Sequence, residues 1–241
     1  AQVKEPMPKL STVLHPVSLD KATMKLLLED IPSGTFPLPP ALKKVCGEMV
    51  WVERDPSNLM TSLSVMSLAA NSTALLDPAN LKTYLSPKLS PKEELFLDLL
   101  DNVYEGEYVI AFSKYRQQID RLEHLTKVQG RFTSRKFLRI TGAEKGSTRE
   151  EMRLHFQNEE EPDYNFIMIN TAAIEGVNLQ RAAHIICLDL PWSWGALIQL
   201  VGRMVRMASP NAACMLHILY ALGTIDEYVL EVLKSKKGVF E

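Results

Sequence analysis

The stretch HIICLDLPWSWGALIQLVGRMVR, residues 184–206, contains the change from strand to helix on which the fold prediction rests. It opens with HIICLDL, an apolar run short enough to be a strand buried on both faces. Ser193 can then cap a helix that carries apolar residues at helical spacing. A buried strand followed directly by an amphipathic helix is typical of a parallel sheet covered by helices.

The same alternation extends in both directions from this stretch. The other apolar runs predicted as strands are YVIAFS (108–113), FLRIT (137–141), NFIMINT (165–171) and CMLHILY (214–220). The predicted helices of this region are SPKEELFLDLLDNVY (90–104), KYRQQIDRLEHLTKV (114–128) and STREEMRLHFQNE (147–159). Ser or Thr caps are predicted for the first and the last of these helices. Strands that alternate with helices predict an α/β fold, a parallel sheet with helices on both faces and a functional edge at the carboxyl ends of its strands.

Residues 1–90 have a different texture, because they contain most of the prolines. The segments with periodic apolar residues are a short strand, TVLHPV (12–17), a Ser-capped helix, SLDKATMKLLLEDI (18–31), and a helix, LMTSLSVMSLAA (59–70). The breaker cluster PSGTFPLPP (32–40) separates the two helices. We therefore predict a mainly helical connector over 1–90 and an α/β lobe over 91–241.

The composition is that of a globular chain, with 46% hydrophobic and 23% charged residues among 241. The net charge of −2 means that any contact with nucleic acid has to come from local patches. Three cysteines at unpaired spacing indicate reduced thiols of an intracellular protein, and the five histidines form no ligand pattern, so no metal site is predicted. Neither a long apolar run nor a basic-then-apolar leader is present, so nothing argues for membrane insertion or secretion and no membrane partner is expected. The first residue is Ala1, which indicates a trimmed or excised piece of a longer protein.

Three polar residues interrupt the apolar helix predicted after Ser193. Gln199, Arg203 and Arg206 follow one another at offsets of four and three, so on a continuous helix they project from one side. Two arginines one turn apart can grip a polyanion with forked donors, and a phosphate chain is the obvious partner. The alternative is that both arginines pair with acidic neighbours on a solvated face.

QLVGRMVR (199–206) resembles motif VI of superfamily 2 helicases. Upstream, INTAAIEGVNLQRAAHIICLDLPWSW resembles motif V and the next strand of Swi/Snf-type DNA translocases, YVIAFSKY resembles motif IV, and FLRITGAEKGSTREEMRLHFQ resembles the segment that follows motif IV. GTIDEYVLEVL resembles the closing helix of that family, and residues 5–27 resemble its connector from the first lobe. The resemblance implies the second RecA-like lobe of an ATP-dependent DNA helicase or translocase. MASPN after Arg206, and Glu175 in place of a more usual Gly, make the chain a divergent member.

The resemblance also implies roles for individual residues. The catalytic pair would be Arg206, an arginine finger toward the γ-phosphate, and Arg203, and the ATP-binding residues would be Gln199, Gly176 and Asn178. The residues implied to bind nucleic acid are Thr171, Ser113, Lys114, Thr141, Gly142 and Arg149. The chain has no G-x-x-x-x-G-K-[ST] sequence, and Asp189 stands alone where a Walker B site would need an acidic pair. ATP and Mg²⁺ are therefore expected mainly on a first lobe, and the chain by itself is not expected to hydrolyse ATP.

Other interpretations stay open at this point. The chain could be a non-catalytic RecA-like module that binds nucleic acid or protein, or the lobe of an RNA helicase. If the chain is the lobe of a DNA helicase or translocase, its expected partners are duplex or single-stranded DNA and the first lobe of the same protein. The span 114–139 holds eight Lys or Arg against two acidic residues, and it is either a phosphate-binding surface or a solvated face. The scarcity of insertions favours a bacterial or viral source, with a nuclear location if the source is eukaryotic.

Overall fold

The computed structural model describes residues 7–38, 40–45, 48–52, 54–55, 58–103, 106–131, 135–174, 176–207 and 209–236. The strands in chain order are β1 (Lys9–Val17), β2 (Ala41–Val45), β3 (Glu48–Val52), β4 (Val109–Phe112), β5 (Phe137–Ile140), β6 (Phe166–Ile169), β7 (His184–Cys187) and β8 (Ala213–Ala221). Six of them form one sheet in the order β1-β8-β7-β4-β6-β5, and every neighbouring pair is parallel. β2 and β3 pair with each other as an antiparallel hairpin.

The helices in chain order are α1 (Lys21–Lys25), α2 (Leu59–Asn71), α3 (Leu81–Tyr84), α4 (Pro91–Asp98), α5 (Arg116–Val128), α6 (Gly146–Gln157), α7 (Trp194–Val201) and α8 (Ile225–Lys234). Wider π-helical turns continue α1 over Leu26–Asp30 and α4 over Leu99–Val103. Short 3₁₀ turns occupy Thr73–Leu75, Pro162–Tyr164 and Thr171–Ala173.

Two apolar cores lie on opposite faces of the sheet. Alternate strand residues point to each face, so Ile110 and Phe112 of β4 belong to one core whereas Val109 and Ala111 belong to the other. The core with Ile110 includes residues of α6, α7 and α8, and the core with Val109 includes residues of α4 and α5. The prediction of a parallel sheet with helices on both faces is confirmed.

β1 is the part of the connector that joins the main sheet. It contains the predicted strand TVLHPV and pairs along its whole length with β8, from Lys9 opposite Ala213 to Val17 opposite Ala221. The predicted boundary at residue 90 stays a prediction, but this strand precedes it and still belongs to the sheet of the lobe.

The helix caps are only partly those that the sequence predicts. Ser90 caps α4 in a capping box with Glu93, as expected. α1 is capped by Asp20 and not by Ser18, because the Asp20 carboxylate accepts from the amides of Ala22 and Thr23 at 3.0 Å each. α6 starts at Gly146 without a side-chain cap, so the predicted Ser/Thr cap there is wrong.

The thiols of Cys187 and Cys214 are free and buried, and Cys46 lies outside the described residues. Burial raises the pKa of Cys187 above its usual range and that of Cys214 to about 11, so both thiols stay protonated at neutral pH. Within the described ranges, no helix combines the length and the apolar content that crossing a bilayer requires.

Candidate nucleotide and nucleic-acid site

The helix that leads to the two arginines is shorter than the sequence predicts. α7 ends at Val201 with Gly202 as its C-cap, so of the three polar residues only Gln199 lies on the helix. Arg203 lies in the turn that follows and Arg206 lies beyond that turn, so the expectation that all three project from one face of a single helix is wrong. Glycine is a poor helix former, and Nε of Arg206 donates to the Gly202 carbonyl at 2.8 Å, which occupies one of the acceptors that a helix end leaves open.

Arg203 is joined to the loop that precedes β7. Its Nη1 donates to the carbonyl of Val177 at 3.3 Å, and its own carbonyl accepts from the amide of Leu179 at 3.3 Å. In the same loop Gly176 is exposed and has φ 80°, a conformation that residues with a Cβ rarely adopt. Asn178 is half-buried beside it. The structure thus brings Arg203 together with Gly176 and Asn178, the two loop residues predicted to bind ATP.

The Arg206 guanidinium and the nearby helix residue Gln199 suit the binding of an anion. Arg206 is half-buried, and apart from the bond from Nε its guanidinium forms no hydrogen bond to the described residues. Two terminal nitrogens in that state are the forked donors that fit phosphate oxygens. Gln199 is exposed on α7 and can add one polar contact. The residues present therefore fit the phosphate groups of ATP.

Four neighbouring strands end at one edge of the sheet, and most of the residues predicted to bind nucleic acid lie in the loops that follow. In sheet order these strands are β7, β4, β6 and β5. Ser113 and Lys114 follow β4, Thr171 follows β6, and Thr141 and Gly142 follow β5. Because the strands are parallel, their carboxyl ends share the edge. The structure brings these five residues to one side of the lobe.

The loops after β5 and β6 touch each other and keep exposed groups. A Cβ built on Gly142 would lie 3.3 Å from the Cβ of Ala172, and both Gly142 and Thr171 are exposed. Thr141 is buried, and its hydroxyl donates to the carboxylate of Glu144 at 2.6 Å. Gly142 and Thr171 are therefore accessible to a ligand, whereas the Thr141 side chain stabilises the loop.

The side chains after β4 are bonded within the chain. Ser113 is fully buried, and its hydroxyl donates to Asp189 at 2.7 Å. The Lys114 side chain is 8% exposed, and its Nζ lies 4.1 Å from the centre of the Trp192 ring and donates to Ser67 at 3.2 Å. Burial lowers the pKa of Lys114, and the negative charge of Asp189 opposes that shift. Direct contact of these two side chains with nucleic acid stays a prediction.

Asp189 is the functional candidate that sequence reasoning missed. It lies just after β7 and is 1% exposed. Its carboxylate accepts from the Ser113 hydroxyl, from the Lys114 amide at 2.8 Å and from Nδ2 of Asn71 at 3.0 Å. The only signal in the sequence is a lone acidic residue at the end of an apolar run, and its partners lie 75 to 118 positions away.

The basic span 114–139 does not form an open cationic surface. Arg121 is fully buried and forms a two-pronged pair with Glu93. The other cations of the span that pair with described carboxylates are Lys114, Arg116, Lys127, Arg131 and Arg139. Arg149, at the start of α6, is half-buried, and its Nε donates to the Glu144 carbonyl at 3.1 Å. Internal pairing therefore accounts for most of the local excess of basic residues.

Comparisons with known proteins concern the family and the fold of the chain. The family model described as helicase conserved C-terminal domain matches residues 91–208. The chain is 28% identical over 157 residues to "DNA repair and recombination protein RAD54B" of Mus musculus, covering 64% of this chain and 17% of that protein. It is 30% identical over 163 residues to "SNF2 domain-containing protein ENL1" of Oryza sativa subsp. japonica, covering 66% and 16%. The chain thus spans less than a fifth of the length of these relatives.

Two solved structures share the fold. The C-terminal part of the Fun30 ATPase domain superposes with a TM-score of 0.67 at 17% identity, covering 96% of this chain and 91% of that one. The Sulfolobus solfataricus SWI2/SNF2 ATPase core in complex with dsDNA superposes with a TM-score of 0.64 at 18% identity, covering 97% and 45%. The predicted bacterial or viral source stays a prediction. Residues 91–208 are therefore a helicase C-terminal domain, and the chain belongs to the Swi/Snf-type helicases as their second, RecA-like lobe.

Proposed function

We propose that the chain is the C-terminal lobe of an ATP-dependent DNA helicase or translocase, completed by a first RecA-like lobe that holds most of the ATP and Mg²⁺. The observation that carries the proposal is the junction of the turn after α7 with the loop before β7, through the two hydrogen bonds of Arg203. It joins Arg203, one of the two predicted catalytic residues, to the loop of Gly176 and Asn178. A relative named as a probable ATP-dependent DNA helicase, from Arabidopsis thaliana, supports the same activity.

Arg206 and Arg203 would have different roles in ATP hydrolysis. ATP, when bound, supplies the phosphoryl group that is transferred to water. Arg206 would place its guanidinium against the charge that develops on that group, and such a contact is worth roughly 10³ to 10⁵ in rate. Arg203 is engaged with Val177, so it would mainly hold the loop of Gly176 and Asn178 in place.

Nucleic acid would bind along the carboxyl edge of the sheet. The exposed Gly142 and Thr171 present a backbone and a hydroxyl there, which are groups that commonly contact phosphates. Since the same lobe holds both this edge and the arginines, closing of the two lobes around ATP would shift the edge along the strand. Repeated hydrolysis would become stepwise translocation.

The test is ATP hydrolysis by a full-length protein in which a first lobe accompanies this chain. We expect Arg206→Ala to lower kcat by about 10³ with KM for ATP changed less than about twofold, because the finger acts on the transition state. Arg153→Ala is the matched control, since the carboxylate that Arg153 pairs with among the described residues is Glu150, one turn away on α6.

Wild-type turnover by the Arg206→Ala protein would refute the arginine-finger assignment. The stimulation of ATP hydrolysis is measured separately with duplex DNA, with single-stranded DNA and with RNA, and the three values are compared. Stronger stimulation by RNA would favour the RNA helicase alternative, and no hydrolysis by the wild-type protein would favour a non-catalytic binding module. The 241-residue chain alone should not hydrolyse ATP.

A further inference from the structure

The last residue of α2 fastens the connector to the carboxyl edge of the sheet. Asn71 is fully buried, and its side-chain amide donates to the Asp189 carboxylate at 3.0 Å. Its Oδ1 accepts from Nζ of Lys92, at the start of α4, at 2.9 Å. Both ends of one amide are thus used, one toward the strand end of β7 and one toward α4.

A buried ion pair extends this contact to the closing helix. Nζ of Lys92, which is 0% exposed, also donates to the Leu188 carbonyl at 2.9 Å and pairs with the carboxylate of Asp226 in the first turn of α8. Asp226 in turn accepts from the Ala221 amide at 3.2 Å, at the end of β8. The ends of α2, β7 and β8 and the starts of α4 and α8 therefore meet in one buried network.

Asp189 lies on the segment that leads into α7 and so to the arginines. Its carboxylate binds the end of α2 on one side and the loop after β4, through the Lys114 amide, on the other. Trp192, two residues before the start of α7, covers the Lys114 ammonium at 4.1 Å. One carboxylate thus connects the connector, the loop after β4 and the approach to α7.

We propose that the Asn71–Asp189 hydrogen bond is a positioning contact for ATP hydrolysis, which fixes the connector relative to the second lobe. The inference rests on the proposed function, because the connector matters for the reaction only if it leads to a first lobe that holds ATP. A loosened bond would let the end of α2 and the segment from Asp189 to α7 shift relative to each other. Arg206 would then reach the nucleotide less often in the productive geometry.

Stability alone does not explain this network. Buried ion pairs often contribute no more to stability than apolar side chains of similar volume, because the charges lose their hydration. Their geometry, in contrast, is demanding, and here it ties specific ends of five elements to one another. A single defined arrangement of the connector is the property that such a network provides.

The experiment is a reciprocal exchange in the full-length protein, with kcat and KM for ATP measured at saturating duplex DNA. Asn71→Asp places two carboxylates against each other, and Asp189→Asn removes the negative charge that pairs with Lys114. We expect each single variant to lower kcat about tenfold with KM changed less than about twofold, since positioning acts on the transition state. The double variant, Asn71→Asp with Asp189→Asn, keeps the net charge and allows the same hydrogen bond with donor and acceptor reversed. It should restore most of kcat.

Circular dichroism first establishes that each variant is folded at the assay temperature, and Asn71→Ala replaces any single variant that is not. Asp98→Asn is the control, because the Asp98 side chain is 52% exposed and pairs with Arg131 at the surface. Folded single variants with wild-type kcat, or a double variant that restores thermal stability without kcat, would overturn the positioning role. Wild-type protein without DNA-stimulated hydrolysis would instead overturn the proposed function on which it rests.

Discussion

Three histidines form a row across neighbouring strands, and this row should make the fold sensitive to mild acid. Nε2 of His15 on β1 lies 3.3 Å from Nδ1 of His217 on β8, and Nε2 of His217 lies 3.1 Å from Nδ1 of His184 on β7. His217 is 1% exposed. Burial, and after it the two neighbouring rings, lower the pKa of His217 to about 3. Burial also lowers the pKa values of His184 and His15.

The sign and size of the effect follow from proton binding. An unfolded chain exposes these imidazoles with a pKa of about 6.5, so below that pH it binds protons that the folded chain excludes. The stabilisation is complete above about pH 7 and is lost as the pH falls toward the folded pKa. For His217 alone, with a folded pKa of about 3, the loss between pH 8 and pH 5 is about 2 kcal/mol. His15 and His184 shift in the same direction and add to this loss.

The measurement is urea unfolding of the 241-residue chain at pH 8, 6 and 5. Wild-type protein should lose at least about 2 kcal/mol over this range, and His217→Gln should lose about 2 kcal/mol less. His124→Gln is the control, because His124 lies outside the row and contacts the Leu85 carbonyl. Equal stability of the wild type at pH 8 and pH 5, or an unchanged loss in His217→Gln, would refute the reasoning.

Two further predictions concern stability at neutral pH. Arg121→Met should destabilise the chain by about 3 to 5 kcal/mol in urea unfolding, because it leaves the buried Glu93 without its cation. Arg153→Met should cost less than about 0.5 kcal/mol, because its partner Glu150 is exposed and stays hydrated. Gly176→Ala should cost about 1 to 2 kcal/mol in thermal unfolding, because φ is 80° there, whereas Gly146→Ala has open space and no positive φ and should stay close to neutral. Equal effects within either pair would contradict the structural explanation.

Local signals carried most of the fold prediction. Apolar runs such as the one that becomes β7 and caps such as Ser90 and Ser193 depend only on residues a few positions away, and these were identified correctly. The predicted length of α7 is wrong. The polar residues of the motif keep helical spacing past Gly202, but the backbone leaves the helix at that residue. Spacing cannot show that the Arg206 side chain itself contributes to ending that helix.

The polar contacts of the site depend on topology and could not be predicted from patterns. Arg121 and Lys92 occupy positions on amphipathic helices that the sequence leaves as ordinary surface cations, yet both are fully buried. Their acidic partners, Glu93 and Asp226, lie 28 and 134 residues away. Only the parallel order of the strands decides which chain ends meet, so the surroundings of Asp189 become visible only in three dimensions.

The two parts of the site differ in whether their charged side chains are paired within the chain. At the carboxyl edge, Lys92 pairs with Asp226 and Lys114 pairs with Asp189 within the chain, so these four side chains are not available to a ligand. At the end of α7, Arg206 keeps donors that no described residue uses. Desolvation of an unpaired guanidinium is costly, so such a group is stable only while it stays hydrated or meets an anion. Lobe closure that excludes water would therefore favour the bound phosphate at Arg206, and the internally neutral edge would hold its shape while this happens.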